Sequence, residues 1–163
     1  ALYDAAGNIT WKLVEPGITE ILDNGSVKIA FSADTVKRLK KSIRSYTKTR
    51  KGQPLKDEAV LRRVIRQINR DLYVAYLQND REFGWAEYMF GTVNVVEDIA
   101  ELDRYIKDHL RHVYTGKWNS CGNYHKVPND MLRRCGYVSM VHLFKLYKIS
   151  KPLYRNEVRM KCA

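Results

Sequence analysis

The chain has 163 residues, 45% of them hydrophobic, and a formal net charge of +11. That length supports one domain or two small ones with a real core, and the apolar content excludes disorder of the whole. No apolar run approaches the roughly 18 residues of a membrane span, and ALYDAAGNITWK lacks the charged start and apolar block of a secretory signal.

With Ala1 and no initiator Met at its start, the chain is expected to be a fragment or a trimmed form. Three cysteines, Cys121, Cys135 and Cys162, form an odd set. That argues against a disulfide framework and for reduced thiols in a cytoplasmic protein. Charge is segregated: residues 1–34 carry −3, 35–70 carry +11, 71–103 carry −7 and 104–163 carry +10. Two basic blocks separated by an acidic one make a field suited to a polyanion, and the footprint points to nucleic acid.

In chain order, residues 1–31 read as strands. ITEIL and VKIAF flank Asp23-Asn24-Gly25-Ser26, and Asn-Gly is a strong hairpin signal. NITWKLVEPG supplies a possible third strand. The period then changes. Ser32 or Asp34 can cap a helix from about Thr35, with Val36, Leu39, Ile43 and Tyr46 as its apolar stripe. Lys37, Arg38, Lys40, Lys41 and Arg44 cover the remainder, and Gly52 and Pro54 break the helix.

The second helix, LKDEAVLRRVIRQINRDLYVAYL, aligns Leu61, Val64, Ile65, Ile68, Leu72 and Ala75. Asp57 and Glu58 favour its dipole. Arg62, Arg66 and Arg70 fall at i, i+4 and i+8, a line about 12 Å long that could follow a phosphate backbone. Arg63 lies beside it, with no acid expected opposite.

GWAEYMFG is aromatic-rich. The third helix, VVEDIAELDRYIKDHLRHVY, buries Val95, Ile99, Leu102, Ile106, Leu110 and Val113 and lines Arg104, Lys107 and Arg111 on another face. GKWNSCGNYHKVPND reads as a loop and NDMLRRC as a short helix capped by Gly136. SMVHLFKLYK reads as a helical turn or two, and KPLYRNEVRMKCA as a basic tail.

DHLRHVY, residues 108–114, invites a catalytic reading because two histidines flank an arginine. It falls short of the His-x-x-Arg-His box of tyrosine recombinases, since Asp108 stands where that box has its first histidine. Cys121, His125, Cys135 and His142 match no common zinc spacing. No glycine-rich phosphate loop occurs. Glu97, Asp98, Glu101 and Asp103 scatter around one helix, where a solvated or salt-bridged face is expected and Asp103 can pair with Lys107. No catalytic residue, metal or cofactor is therefore assigned. Trp118, next to Lys117, is the aromatic best placed to stack on a base or ribose.

IRQIN ending at Asn69, GWAEYMF from Gly84, LDRYIKDHLR from Leu102 and GKW at Trp118 together form a pattern. It resembles the thumb, or maturase-specific, region that follows the polymerase palm in bacterial group II intron-type reverse transcriptases. The eighteen-residue step from Gly84 to Leu102 suits that family. The resemblance covers roughly residues 30–145. It departs from the family in a longer gap from Asn69 to Gly84 and in lacking a zinc-binding endonuclease motif after Lys148. No Asp-Asp dipeptide of a polymerase occurs either.

The resemblance implies a non-catalytic, RNA-binding thumb of an RNA-directed DNA polymerase. Its partners would be RNA or an RNA–DNA duplex and the palm of the same polypeptide, with no membrane. The expected fold is mainly α: a small bundle of three long helices, short C-terminal helices and an N-terminal β-hairpin. The expected divisions are 1–31 as hairpin or palm-to-thumb strands, 32–150 as the helical binding domain and 151–163 as tail. Two alternatives remain. One is a tyrosine-recombinase fragment using Arg111, His112 and Tyr147. The other is an interaction module docking through the acidic 71–103 segment.

Overall fold

The computed structural model describes residues 2–3, 9–10, 17–21, 27–31, 33–47, 56–74, 85–118 and 120–162. Among these the chain is mainly α. Of the strands the backbone alone is described. β1 (Leu2–Tyr3) pairs antiparallel with β2 (Ile9–Thr10), and β3 (Gly17–Ile21) with β4 (Val27–Phe31), with Thr19 opposite Ile29. The turn expected at Asp23–Ser26 lies outside the described residues.

Helix α1 (Ala33–Tyr46) presents the expected stripe: Leu39 and Ile43 are buried, Val36 and Tyr46 partly so. Helix α2 (Glu58–Asn69) starts where the Asp57 carboxylate accepts the Ala59 N–H at 2.8 Å, satisfying one donor of the open first turn. Leu61, Ile65 and Ile68 form its buried face.

The second helix does not run on unbroken as its pattern predicted. It passes at Arg70–Val74 into a π-helical turn in which Leu72, Tyr73 and Val74 are all buried. Three consecutive buried residues would spread about 200° around an α-helix, more than one apolar stripe can hold. The wider turn accommodates them. Polar ties fix it: the Asn69 side chain donates to Gly136 O at 2.9 Å, and Asp71 accepts from the Tyr46 hydroxyl and from Gln67 at 3.2 Å.

Helix α3 (Trp85–Thr92) buries Ala86, Met89 and Phe90. Helix α4 (Val96–Thr115) is the axis of the molecule, 20 residues long, packed on α1, α2, α5 and α7. Ile99, Leu102, Ile106, Leu110 and Val113 are its buried stripe, each worth about 1.5–3 kcal/mol of transfer from water when fully buried. It ends at Gly116, whose φ of 71° is left-handed and whose N–H reaches His112 O.

Four helices follow: α5 (Ser120–Lys126), α6 (Asn129–Arg134), α7 (Met140–Ile149) and α8 (Lys151–Cys162). Three of these correct the sequence reading. The expected loop after Trp118 contains α5, whose buried Asn123 donates to Lys117 O at 2.6 Å. The expected turn or two after Ser139 is a ten-residue helix, α7. The expected basic tail, 151–163, is helix α8 through Cys162.

The apolar stripe of α8 (Tyr154, Val158, Cys162) is thin but fully used. Tyr154 meets Phe90 edge-on, with ring centroids 5.8 Å apart. Lys151 and Arg155 reach the buried Glu87 carboxylate of α3 at 3.2 and 3.0 Å. Those two ion pairs, with a second Arg155 contact at 3.4 Å, answer the desolvation that a buried carboxylate suffers.

Candidate nucleic-acid interface

α1 packs on α4, Lys40 reaching Tyr105 and Glu101, while Leu39 and Ile43 of α1 join the common core. Beside that seam runs a groove of about 540 Å³ lined by Lys41, Arg44, Ser45, Thr47, His109, His112 and Trp118. The 3.6-residue period places Lys37, Lys41 and Arg44 on one side of α1. Lys40 leans onto α4, its Nζ 5.0 Å from the Tyr105 ring centroid and 3.9 Å from Glu101 Oε1.

Trp118 reaches this groove because the left-handed Gly116 turns the chain back over the last turn of α4. The connection is pinned. The Lys117 N–H donates to Thr115 Oγ1 at 3.3 Å, and Lys117 O accepts from Asn123. One face of the indole stacks on His112, centroids 3.9 Å apart and planes 12° from parallel. His109 meets it edge-on at 4.7 Å. The residue nonetheless stays 63% exposed.

Electrostatically the groove is cationic. No ion pair among the described residues engages Lys37, Lys41 or Arg44. Burial pushes the His109 pKa below its ordinary value; the nearby His112 and Arg44 push the same way, against Asp108 and a hydrogen bond to Tyr105 O. That bond is 3.0 Å long, and since a carbonyl can only accept, Nδ1 carries the proton and the neutral ring leaves Nε2 as an acceptor. Burial raises the Tyr105 pKa, against the pull of Arg44.

The α2 row is exposed at Arg62, Arg63, Arg66 and Arg70. The N–H of Arg70 bonds to Arg66 O, which keeps the two one turn apart where the π turn begins. The expectation that no acid faces the row fails at its first member: Glu58, one turn earlier, lies 3.9 Å from Arg62 and 3.5 Å from Arg134 of α6. Arg63, Arg66 and Arg70 have no ion pair among the described residues.

The α4 row separates into three environments. Arg104 is exposed. Lys107 sits 3.8 Å from Asp103 and lines a second groove, about 610 Å³, with Arg133, Ser139, His142 and Lys161. There the cations are already matched: Arg133 with Asp130 at 2.8 Å, and Lys161 and His142 with Glu157 at 2.7 and 3.5 Å. The hydrogen bond from Lys161 leads in holding the Glu157 carboxyl below the usual carboxylate range, with help from His142.

Arg111, expected on a backbone-gripping face, is buried. Its Nε donates to Val127 O at 2.9 Å and its Nη2 to Asn129 Oδ1 at 2.7 Å, with Asp108 3.5 Å away. The correction has a plain cause: α5 and the start of α6 cover that side of α4, so the guanidinium holds their connection. Asp103, expected on a solvated or salt-bridged face, makes the expected pair with Lys107 but is buried. It accepts from the Tyr137 hydroxyl, from Ser139 Oγ at 2.9 Å and from Met140 N–H at 3.0 Å.

Of the expected binding residues, the structure thus brings Lys41, Arg44 and Trp118 into one groove, with the exposed Lys117 next to Trp118 in the chain. Lys37 and Lys40 flank them on α1. It adds His109 and His112, which the sequence offered as chemistry within DHLRHVY. Tyr147 packs against Phe90 and Tyr154, centroids 6.1 and 5.5 Å away. Cys121 is exposed, and Cys135 and Cys162 are buried free thiols. Burial pushes the Cys162 thiol up to about 12. Among the described residues no three His, Cys, Asp or Glu gather as a metal site would need, and no helix is long and apolar enough to cross a membrane. No family model matches the chain, and no curated protein or solved structure matches it significantly.

Proposed function

We propose that this chain is a nucleic-acid-binding domain that grips a ribose-phosphate backbone through α1 and α2. One observation carries the reading. The solvent-facing cations Lys37, Lys41, Arg44, Arg63, Arg66 and Arg70 have no carboxylate partner among the described residues, whereas those of the second groove are neutralised within the fold. Unmatched cations lose little on meeting phosphate and release its condensed counterions. A helical scaffold of this kind meets an A-form duplex by shape, through phosphates and 2′-hydroxyls.

The resemblance to the thumb region of group II intron-type reverse transcriptases gives the finer form of this proposal. RNA or an RNA–DNA duplex is the ligand, and a polymerase palm in the same polypeptide is the partner. The sequence has no paired aspartates, so the proposed role is gripping and not catalysis.

Fluorescence anisotropy with a labelled RNA duplex, across a salt series, tests the proposal. Arg66→Ala with Arg70→Ala should weaken binding and shallow the log–log salt slope by about 0.7–0.9 per lost contact. Arg133→Ala with Lys161→Ala should leave the slope unchanged. Wild-type affinity and slope in the first double variant would overturn the reading.

A further inference from the structure

We infer that the groove between α1 and α4 receives a single unpaired nucleotide, its base stacked on the open face of Trp118 and its phosphate held by Lys41 and Arg44. The inference rests on the reading of the chain as a nucleic-acid binder and adds what the groove selects.

A tryptophan that is 63% exposed is unusual for so large a ring, yet this one is not loose. His112 backs one face in near-parallel contact, while Thr115 and Asn123 fix the backbone of its neighbour Lys117. The indole therefore stands as a prepared platform with one side covered and one side available. Such a platform loses little side-chain freedom when a flat ring settles on it. Any base offers a π face, so stacking here is tolerant of sequence.

The groove's size points to the unit it accepts. About 540 Å³ falls within the roughly 300–1,000 Å³ of sites that enclose one small molecule. A paired base inside a duplex keeps both faces stacked on its neighbours and cannot use the indole. The base must come from a bulge, a loop or a single-stranded end, where unstacked bases are free to settle on aromatic side chains. Lys41 and Arg44 line the same groove without an ion pair among the described residues, so a phosphate attached to that base meets open cations. The second groove has comparable volume but neither feature: its cations are matched to carboxylates, and no exposed Trp, Tyr or Phe ring lines it.

Two RNA hairpins test the inference. They are identical in stem and length, one with a single bulged 2-aminopurine and the other with 2-aminopurine paired in the stem. Wild type should bind the bulged hairpin about 5- to 150-fold more tightly and quench its 2-aminopurine fluorescence. Trp118→Ala should bind both hairpins equally without quenching, at the wild-type affinity for the paired one. Trp118→Phe should recover part of the preference and part of the quenching. Equal wild-type binding to the two hairpins, or a preference that survives in Trp118→Ala, would overturn the inference and leave the backbone-gripping role standing. Failure to bind either hairpin would overturn both.

Discussion

Replacing Asp103 with alanine should destabilise the protein by about 4 kcal/mol, a value that follows from what its carboxylate holds. The residue is 4% exposed and ties the middle of α4 to the entry of α7. Its four partners would respond differently to its loss. Lys107 and Ser139 are partly exposed and can turn to water, so they contribute little. Tyr137 and Met140 cannot: the Met140 N–H would be left buried without an acceptor, and the Tyr137 hydroxyl would keep only its 3.3 Å bond to the Asp103 backbone carbonyl. A buried orphan costs about 1–3 kcal/mol, and breaking a buried ionic network about 3–5 kcal/mol in all.

Burial and the adjacent carboxylate push the Tyr137 pKa well above its ordinary value, so the phenol remains a donor at every usable pH. Urea unfolding followed by far-UV circular dichroism measures the loss, which at this size corresponds to about 8–16 °C in Tm. A double-mutant cycle with Tyr137→Phe should give a coupling of about 1–2 kcal/mol. A loss under 1 kcal/mol, or strict additivity with Tyr137→Phe, would refute the reasoning.

Arg111→Met should cost about 3 kcal/mol, because two charge-assisted hydrogen bonds disappear and the Val127 carbonyl loses its side-chain donor. The folded variant should bind RNA as wild type does, and a selective loss of affinity with unchanged stability would contradict its structural role. His109 gives a pH signature. Its folded pKa lies below the ordinary 6.5, so the unfolded chain takes up the proton first; the contribution is complete above that value and is lost as pH falls through the folded one. Urea midpoints between pH 7.5 and 5.5 should fall more steeply for wild type than for His109→Gln, and parallel curves would refute the assignment.

Much of the scaffold is legible in the chain because apolar spacing survives folding unchanged. The stripes of α1 and α4 are buried where the period places them. Charge spacing is less transparent. Arg104, Lys107 and Arg111 share one face on paper, yet one is exposed, one paired and one enclosed, because neighbouring helices decide which part of that face meets water. Helix α8 hides for a related reason: only Tyr154, Val158 and Cys162 mark its inner side, amid five basic residues from Lys148 to Lys161. Its strongest tie, to Glu87, spans 68 positions of chain. Trp118 could be singled out from GKW, but the imidazole beneath it depends on the reversal at Gly116, which spacing alone does not encode.

The pairing of Glu87 with α8 limits how small a working fragment can be. A truncation at Ser150 would strip away both guanidinium and ammonium, leave a solitary negative charge sealed under α3 and uncover the rings of Phe90 and Tyr147. Any minimal unit prepared for RNA work must therefore carry its last helix, although none of that helix's residues belongs to the groove proposed to receive the base.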